Sequence, residues 1–474
     1  MVEMVEAAEV NEVPSETRTR SEAAYAARRS SSSEILAQGW PTGLFRGALA
    51  FVVMAAVGQA AAFAVSVFGE QQVSVAKLGW LYFGWFHHAA VNVAVTTRLN
   101  FPVEGAPEGP SGAAGLTAGV GLAMMLATFL AIAILYRGGR AVADRAGGTG
   151  VARVFHGMKV APAYAIPPFV LSGLVSIDVP IPQNSLVAGS LQIGSSSLSW
   201  LVLPLLLAAA AGAAGGLRSG RFEIISREPW GRRAAGAVAG GMRMFVLGLV
   251  LSFVGLVVLA AVRPSAGRAY FAAISGPPAE QTAVIFAHHV LLLPNQSMWV
   301  LVPAMGGCDG LSGGGVSATF LCYSKFPTSV SVSTDGSNGD ALTVRTDFGT
   351  APTGYYLFLL VPALSVVLGG RYGVRKRARL RSESIAIGAA SGVVFAVLVA
   401  VASWLASVSV SLSSAAGGIP GDSSVLIGPA VFAAGLLALI WGVLGGAIGG
   451  WLGGREFPPT ERLTAPSSFA TERP

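Results

Sequence analysis

The chain has 474 residues, a formal net charge of +7, 53% hydrophobic residues and only 12% charged ones. Soluble domains carry about 25% charged residues, so a mean hydropathy of +0.63 excludes an ordinary soluble domain. The surplus positive charge flanks apolar runs, which argues for a topology signal and against nucleic-acid binding.

Residues 1–42 read as a flexible cytoplasmic tail, low in apolar content and carrying Arg28-Arg29-Ser30-Ser31-Ser32-Ser33. Eight apolar runs follow, near 44–68, 113–136, 160–177, 198–217, 238–262, 352–370, 385–409 and 425–450. Each approaches or exceeds the ~20 residues that cross a bilayer as a helix. The tail ahead of the first run argues against a cleaved signal peptide. Residues 456–474, with Pro458-Pro459 and Pro466, read as a second flexible tail. Of the 31 Lys and Arg residues, 25 fall in the tails, in 137–159, 218–237 and 371–383, or at Arg46 and Arg243. The positive-inside rule then places both termini in the cytoplasm. Scarce lysine against abundant arginine, alanine and glycine suggests a high-GC bacterium and hence an inner membrane.

Two further apolar segments, 76–95 and 280–304, hold four of the five histidines as the pairs His87-His88 and His288-His289. Counting both as spans would put the basic loop 137–159 on the opposite side from the N-terminal tail. They therefore read as outer re-entrant or interfacial segments, the first rich in Trp80, Tyr82, Phe83, Trp85 and Phe86. The pairs are 201 residues apart and read as equivalent places in a duplication. Other landmarks agree in order: Phe45-Arg46 with Met242-Arg243, Gly138-Gly139-Arg140 with Gly369-Gly370-Arg371, and Gly220-Arg221 with Gly454-Arg455. The resulting fold class is an all-α polytopic membrane protein. Its eight transmembrane helices form two parallel four-helix repeats, 43–221 and 222–455.

The second repeat carries an extracytoplasmic insertion, 306–350. Within it Ser329–Ser333 and Leu342–Arg345 alternate and flank Asp335-Gly336-Ser337-Asn338-Gly339, the pattern of a β-hairpin. The only cysteines, Cys308 and Cys322, share this loop on the oxidising side, so a disulfide is favoured over a metal site or free thiols.

Small residues at spacings of four (Gly212, Gly216, Gly220, and Gly442, Gly446, Gly450, Gly454) point to close helix packing. No Asp, Glu or Lys lies mid-span, which lowers the expectation of an ion-coupled carrier. Walker A, H-E-x-x-H and G-x-S-x-G patterns are absent. No cofactor is implied, and an enzymatic role has little support. His87, His88, His288 and His289, with Asn92, Asn295 and Gln296, are the substrate or metal candidates. Adjacent residues on a helix point about 100° apart, so one pair seldom serves one site. The leading expectation is a permease- or channel-like protein passing a small uncharged or lipid-like substrate between the halves. Competing with it are a membrane scaffold in envelope assembly or division, with membrane and envelope proteins as partners, and an outward-facing metal-binding protein. Membrane lipids are the expected partners in every case, and nucleic acid in none.

Overall fold

The computed structural model describes residues 37–68, 74–99, 113–148, 150–173, 175–184, 187–194, 198–218, 229–262, 288–313, 316–323, 326–334, 342–349, 353–375, 377–378, 380–414 and 423–454. The two tails, Gly220 and the hairpin turn 335–339 lie outside these residues. The described part is mostly helical. Seven of its helices are long and apolar enough to cross a membrane, which makes this a multi-pass membrane protein.

In the N-terminal half the helices are α1 (Trp40–Phe68), α2 (Val75–Trp85), α3 (Met125–Ala146), α4 (Gly150–Met158), α5 (Ala161–Ser172) and α6 (Ser199–Arg218). In the C-terminal half they are α7 (Pro229–Val262), α8 (Leu293–Ala304), α9 (Leu360–Val374, entered through a 3-10 turn at Thr353–Leu359), α10 (Arg381–Ala406) and α11 (Val431–Gly453). The third apolar run, 160–177, supplies only the 12-residue α5, with Pro167 and Pro168 inside it. At 1.5 Å per residue it is about 18 Å long, short of the ~30 Å hydrocarbon core.

Among the described residues ten strands accompany the helices: β1 (Val91–Leu99), β2 (Ala113–Gly121), β3 (Ser176–Asn184), β4 (Val187–Gly194), β5 (Cys308–Gly313), β6 (Val316–Cys322), β7 (Phe326–Thr334), β8 (Leu342–Gly349), β9 (Val408–Ser414) and β10 (Ser423–Pro429). Eight form one sheet in the order β3-β4-β1-β2-β9-β10-β5-β6, while β7 and β8 pair antiparallel as a separate ribbon. Several span boundaries are therefore corrected. The run 113–136 begins as β2 and turns helical only at Met125, and the run 425–450 begins as β10. Likewise α10 ends at Ala406 and β9 follows at once. Aliphatic residues score alike in a strand and a helix, so hydropathy alone does not separate them.

The register gives the sheet two distinct faces. Asn92, Gly119, Ser411 and Ser424 lie in one row across β1, β2, β9 and β10, and Thr117, Gln192, Ser411 and Ser424 are exposed. The neighbouring row, Val91–Val120–Val410–Val425, is buried or half-buried. Alternation of this kind means one face in water and one turned inward. The seam between the halves is the β2–β9 pairing. There a Cβ on Gly119 would meet Ser411 Oγ at 2.4 Å, and one on Gly121 would meet Ser409 Oγ at 2.3 Å. Only glycine leaves room for these hydroxyls, which reach the Gly119 and Gly121 carbonyls at 3.4 and 3.3 Å. Pro180 and Pro182 lie in β3, at the sheet's edge, where a missing N–H is tolerated.

Glycine also sets the helix spacing. A Cβ on Gly139 (α3) would lie 2.3 Å from the Gly212 carbonyl (α6), and one on Gly370 (α9) 2.6 Å from the Gly446 carbonyl (α11). Three more contacts come as pairs. Gly157 meets the Gly212 carbonyl and Gly388 that of Gly446, each at 2.1 Å. Gly216 meets the Arg153 carbonyl at 2.2 Å and Gly450 that of Ser384 at 2.3 Å. Gly215 meets the Tyr136 carbonyl at 2.0 Å and Gly449 that of Val367 at 2.1 Å. In every pair the α3–α4 member is displaced by 231 residues and the α6 member by 234. The apolar core has one large cluster in each half, with Ala123, Met125 and Phe129 of the first half packed into the second half's cluster, and a small third cluster at Val374, Ala378 and Ile387.

Candidate functional site

The site is built where α2 and its C-terminal turn meet the other half. α2 folds back along α1: a Cβ on Gly58 would touch the Gly79 carbonyl at 2.6 Å, and Gln59 Nε2 donates to the Ala76 carbonyl at 3.1 Å. Of the aromatic run read as re-entrant or interfacial, Tyr82, Phe83 and Phe86 are fully buried.

α2 ends in a Schellman-type turn. The Ala89 N–H reaches back to the Gly84 carbonyl at 3.1 Å, around a left-handed residue at φ +58°. That residue is His88. α8 ends the same way, with the Gly307 N–H on the Val302 carbonyl at 3.0 Å, but its left-handed residue is Gly306 at φ +98°. The two turns are alike, but the histidine pairs sit differently about them. His87-His88 follows α2, whereas His288-His289 precedes α8, so the two pairs do not occupy equivalent places. An apolar run ending in His-His matched by composition rather than by position in the fold.

The pairs nonetheless converge on the junction through other residues. His87 Nδ1 donates to the Phe83 carbonyl at 2.7 Å, which leaves Nε2 of the neutral ring to accept the Tyr164 hydroxyl at 2.6 Å. Across the junction the Tyr82 hydroxyl and His288 Nε2 are hydrogen-bonded at 2.6 Å. Gln296 Nε2 donates to His289 Nδ1. Asn295 is buried and bridges to the other half, accepting from the Met125 N–H at 3.0 Å and donating to the Ala123 carbonyl at 2.6 Å. The His88 ring lies against Trp404 of α10, with ring centres 4.6 Å apart. Burial pushes His87 and His88 down to about 4, the Phe83 hydrogen bond opposing this at His87. His289 is also lowered, by burial and by its neighbour His288.

Two buried polar atoms in this turn have no hydrogen-bond partner: Trp85 Nε1 and His88 Nδ1. Among the described residues no three His, Cys, Asp or Glu side chains come together to hold a metal ion, so the four imidazoles do not assemble into one site. Asn92 lies apart, in β1 beside Gly119 and Gly194. Cys308 and Cys322 form a disulfide across the β5–β6 pair. The described glycines of the packing set lie on α6 and α11 or, for Gly454, directly after it. Sequence reasoning missed Tyr82, Tyr164 and Trp404 as site residues because their partners are distant in sequence, and it missed Trp85 because an unpartnered indole N–H leaves no sequence signal. A cap signal at His88 was also concealed, since helices usually place Gly there.

Comparison with protein-family models, curated proteins and solved structures returns no match.

Proposed function

We propose that the chain is a permease- or channel-like protein of a bacterial inner membrane, handling a small uncharged or lipid-like substrate at the junction of two fused four-pass units. Both termini are cytoplasmic in this reading, the sheet is extracytoplasmic, and α4–α5 completes the eighth passage. The duplication is supported by the common element order of 40–218 and 229–453 and by the glycine contacts repeated 231 and 234 residues apart. The substrate class rests on one observation: the described hydrogen-bonded groups joining the halves are imidazole, phenol, hydroxyl, amide and backbone, with no carboxylate, ammonium or guanidinium among them. A low-dielectric site without such groups favours an uncharged ligand, because a bare ion would stay undercompensated there.

Reconstitution of the full chain into liposomes tests this. Transbilayer movement of a fluorescent diacylglycerol, or efflux of an uncharged solute such as glycerol, should exceed the rate in protein-free liposomes. Rates equal to those of protein-free liposomes for both would refute it. The separate β7–β8 ribbon favours the alternative of an envelope scaffold, since it adds a surface outside the eight-stranded sheet. That alternative requires stoichiometric partner proteins to co-purify with the chain.

A further inference from the structure

We infer that His88 and Trp85 form a subsite for an uncharged oxygen, a hydroxyl or an ester carbonyl, of a membrane lipid that enters past Trp404. The inference rests on the lipid-handling reading above and names the group recognised.

Three observations converge. First, His88 occupies the left-handed position of a helix-ending turn, where a side chain is strained and glycine is not. The chain itself holds the unstrained solution, because the corresponding turn after α8 carries Gly306. Strain that the fold avoids elsewhere points to a use for the side chain at this place. Second, that side chain is only 6% exposed, and its Nδ1 has no partner. Trp85 Nε1, three residues earlier and able only to donate, is likewise buried and unpartnered. Buried polar atoms are almost always paired, so two orphans in one turn mark a place for a polar group. A lipid hydroxyl satisfies both, donating to the imidazole and accepting from the indole. An ester carbonyl does so by accepting from both.

Third, the covering residue sets the depth and the direction of approach. Trp404 packs on His88, is 38% exposed and lies in the last turn of the membrane-crossing α10. Tryptophan at that level sits at the membrane–water boundary, where lipid esters and hydroxyls lie. The site also needs both halves, since Trp85 and His88 belong to the first and Trp404 to the second.

The test is photolabelling of the full-length protein in lipid nanodiscs with a photoactivatable diacylglycerol, set against a photoactivatable alkane of equal chain length. The diacylglycerol should label the segment 85–88 and Trp404, with the alkane at least tenfold weaker there. His88→Gly reproduces the backbone solution of Gly306, so it should unfold no earlier than the parent while losing tenfold or more of this labelling. Trp85→Phe should lose a similar amount. Undiminished labelling in both variants, or equal labelling by the alkane, overturns the subsite. If the parent labels at His88 yet moves neither diacylglycerol nor glycerol faster than protein-free liposomes, the subsite stands and the passage reading falls.

Discussion

Gly138 and Gly139 are adjacent in the same turn of α3, both buried, yet alanine at the two should act in opposite directions. A Cβ on Gly138 would meet Arg46 Cβ at 3.5 Å and Val160 Cγ1 at 3.7 Å, ordinary contact distances. A Cβ on Gly139 would lie 2.3 Å from the Gly212 carbonyl oxygen and 2.5 Å from Gly212 Cα, both backbone atoms that cannot rotate away. α3 and α6 would have to part by about 1 Å to reach normal contact. Overpacking of this kind costs about 1–3 kcal/mol. The gain in helix propensity on replacing Gly with Ala, about 1 kcal/mol, applies to both variants and cancels in the comparison. Gly139→Ala should therefore be less stable than Gly138→Ala by about 1–3 kcal/mol, with Gly138→Ala at or above the parent. Reversible unfolding of the three proteins in mixed micelles measures the difference. Equal stabilities would show that the backbones do not approach as described.

Asp309 lies fully buried in β5 with both carboxylate oxygens unpartnered, and burial raises it well above the usual carboxylate value. A raised folded value means that the native state holds its proton where the unfolded state has lost it, so stability falls as pH rises from about 4 toward the folded value. Asp309→Asn should stabilise the sheet at pH 7, by about 1–3 kcal/mol, with the gain vanishing near pH 4. A gain independent of pH would argue against a protonated Asp309. The Cys308–Cys322 bridge closes a 14-residue separation, and Cys308→Ser should cost about 3 kcal/mol, read as faster amide exchange in β5 and β6. Unchanged exchange would show that the strands hold without it. Asn295→Leu leaves the Met125 N–H and the Ala123 carbonyl unpaired and should cost about 1–3 kcal/mol; a neutral effect on unfolding would mean that the junction is held elsewhere.

What composition and spacing reveal about this chain is what depends on local sums. Apolar length marks eight runs, of which seven hold helices long and apolar enough to cross a membrane, and the position of two cysteines in one loop foreshadows their bond. The glycine spacing is equally local, and Gly442, Gly446 and Gly450 do lie where backbones nearly touch. The sheet was not legible because its strands are short and abut helices of similar hydropathy. Ser-Val alternation from Val408 to Ser414 looks like the frayed end of α10, and only pairing with Gly121 and Leu116 makes it a strand. The site is further from view, since Tyr82 and His288 are 206 residues apart, and His87 and Tyr164 are 77 apart. Residue type alone also misled, because like was matched with like: His-His with His-His. In the fold His88 and Gly306 hold the same left-handed position of two like turns, though they share no side-chain chemistry. Such an equivalence appears only once hydrogen bonds define the turn. It is also what isolates the imidazole as the part of His88 that the backbone does not require.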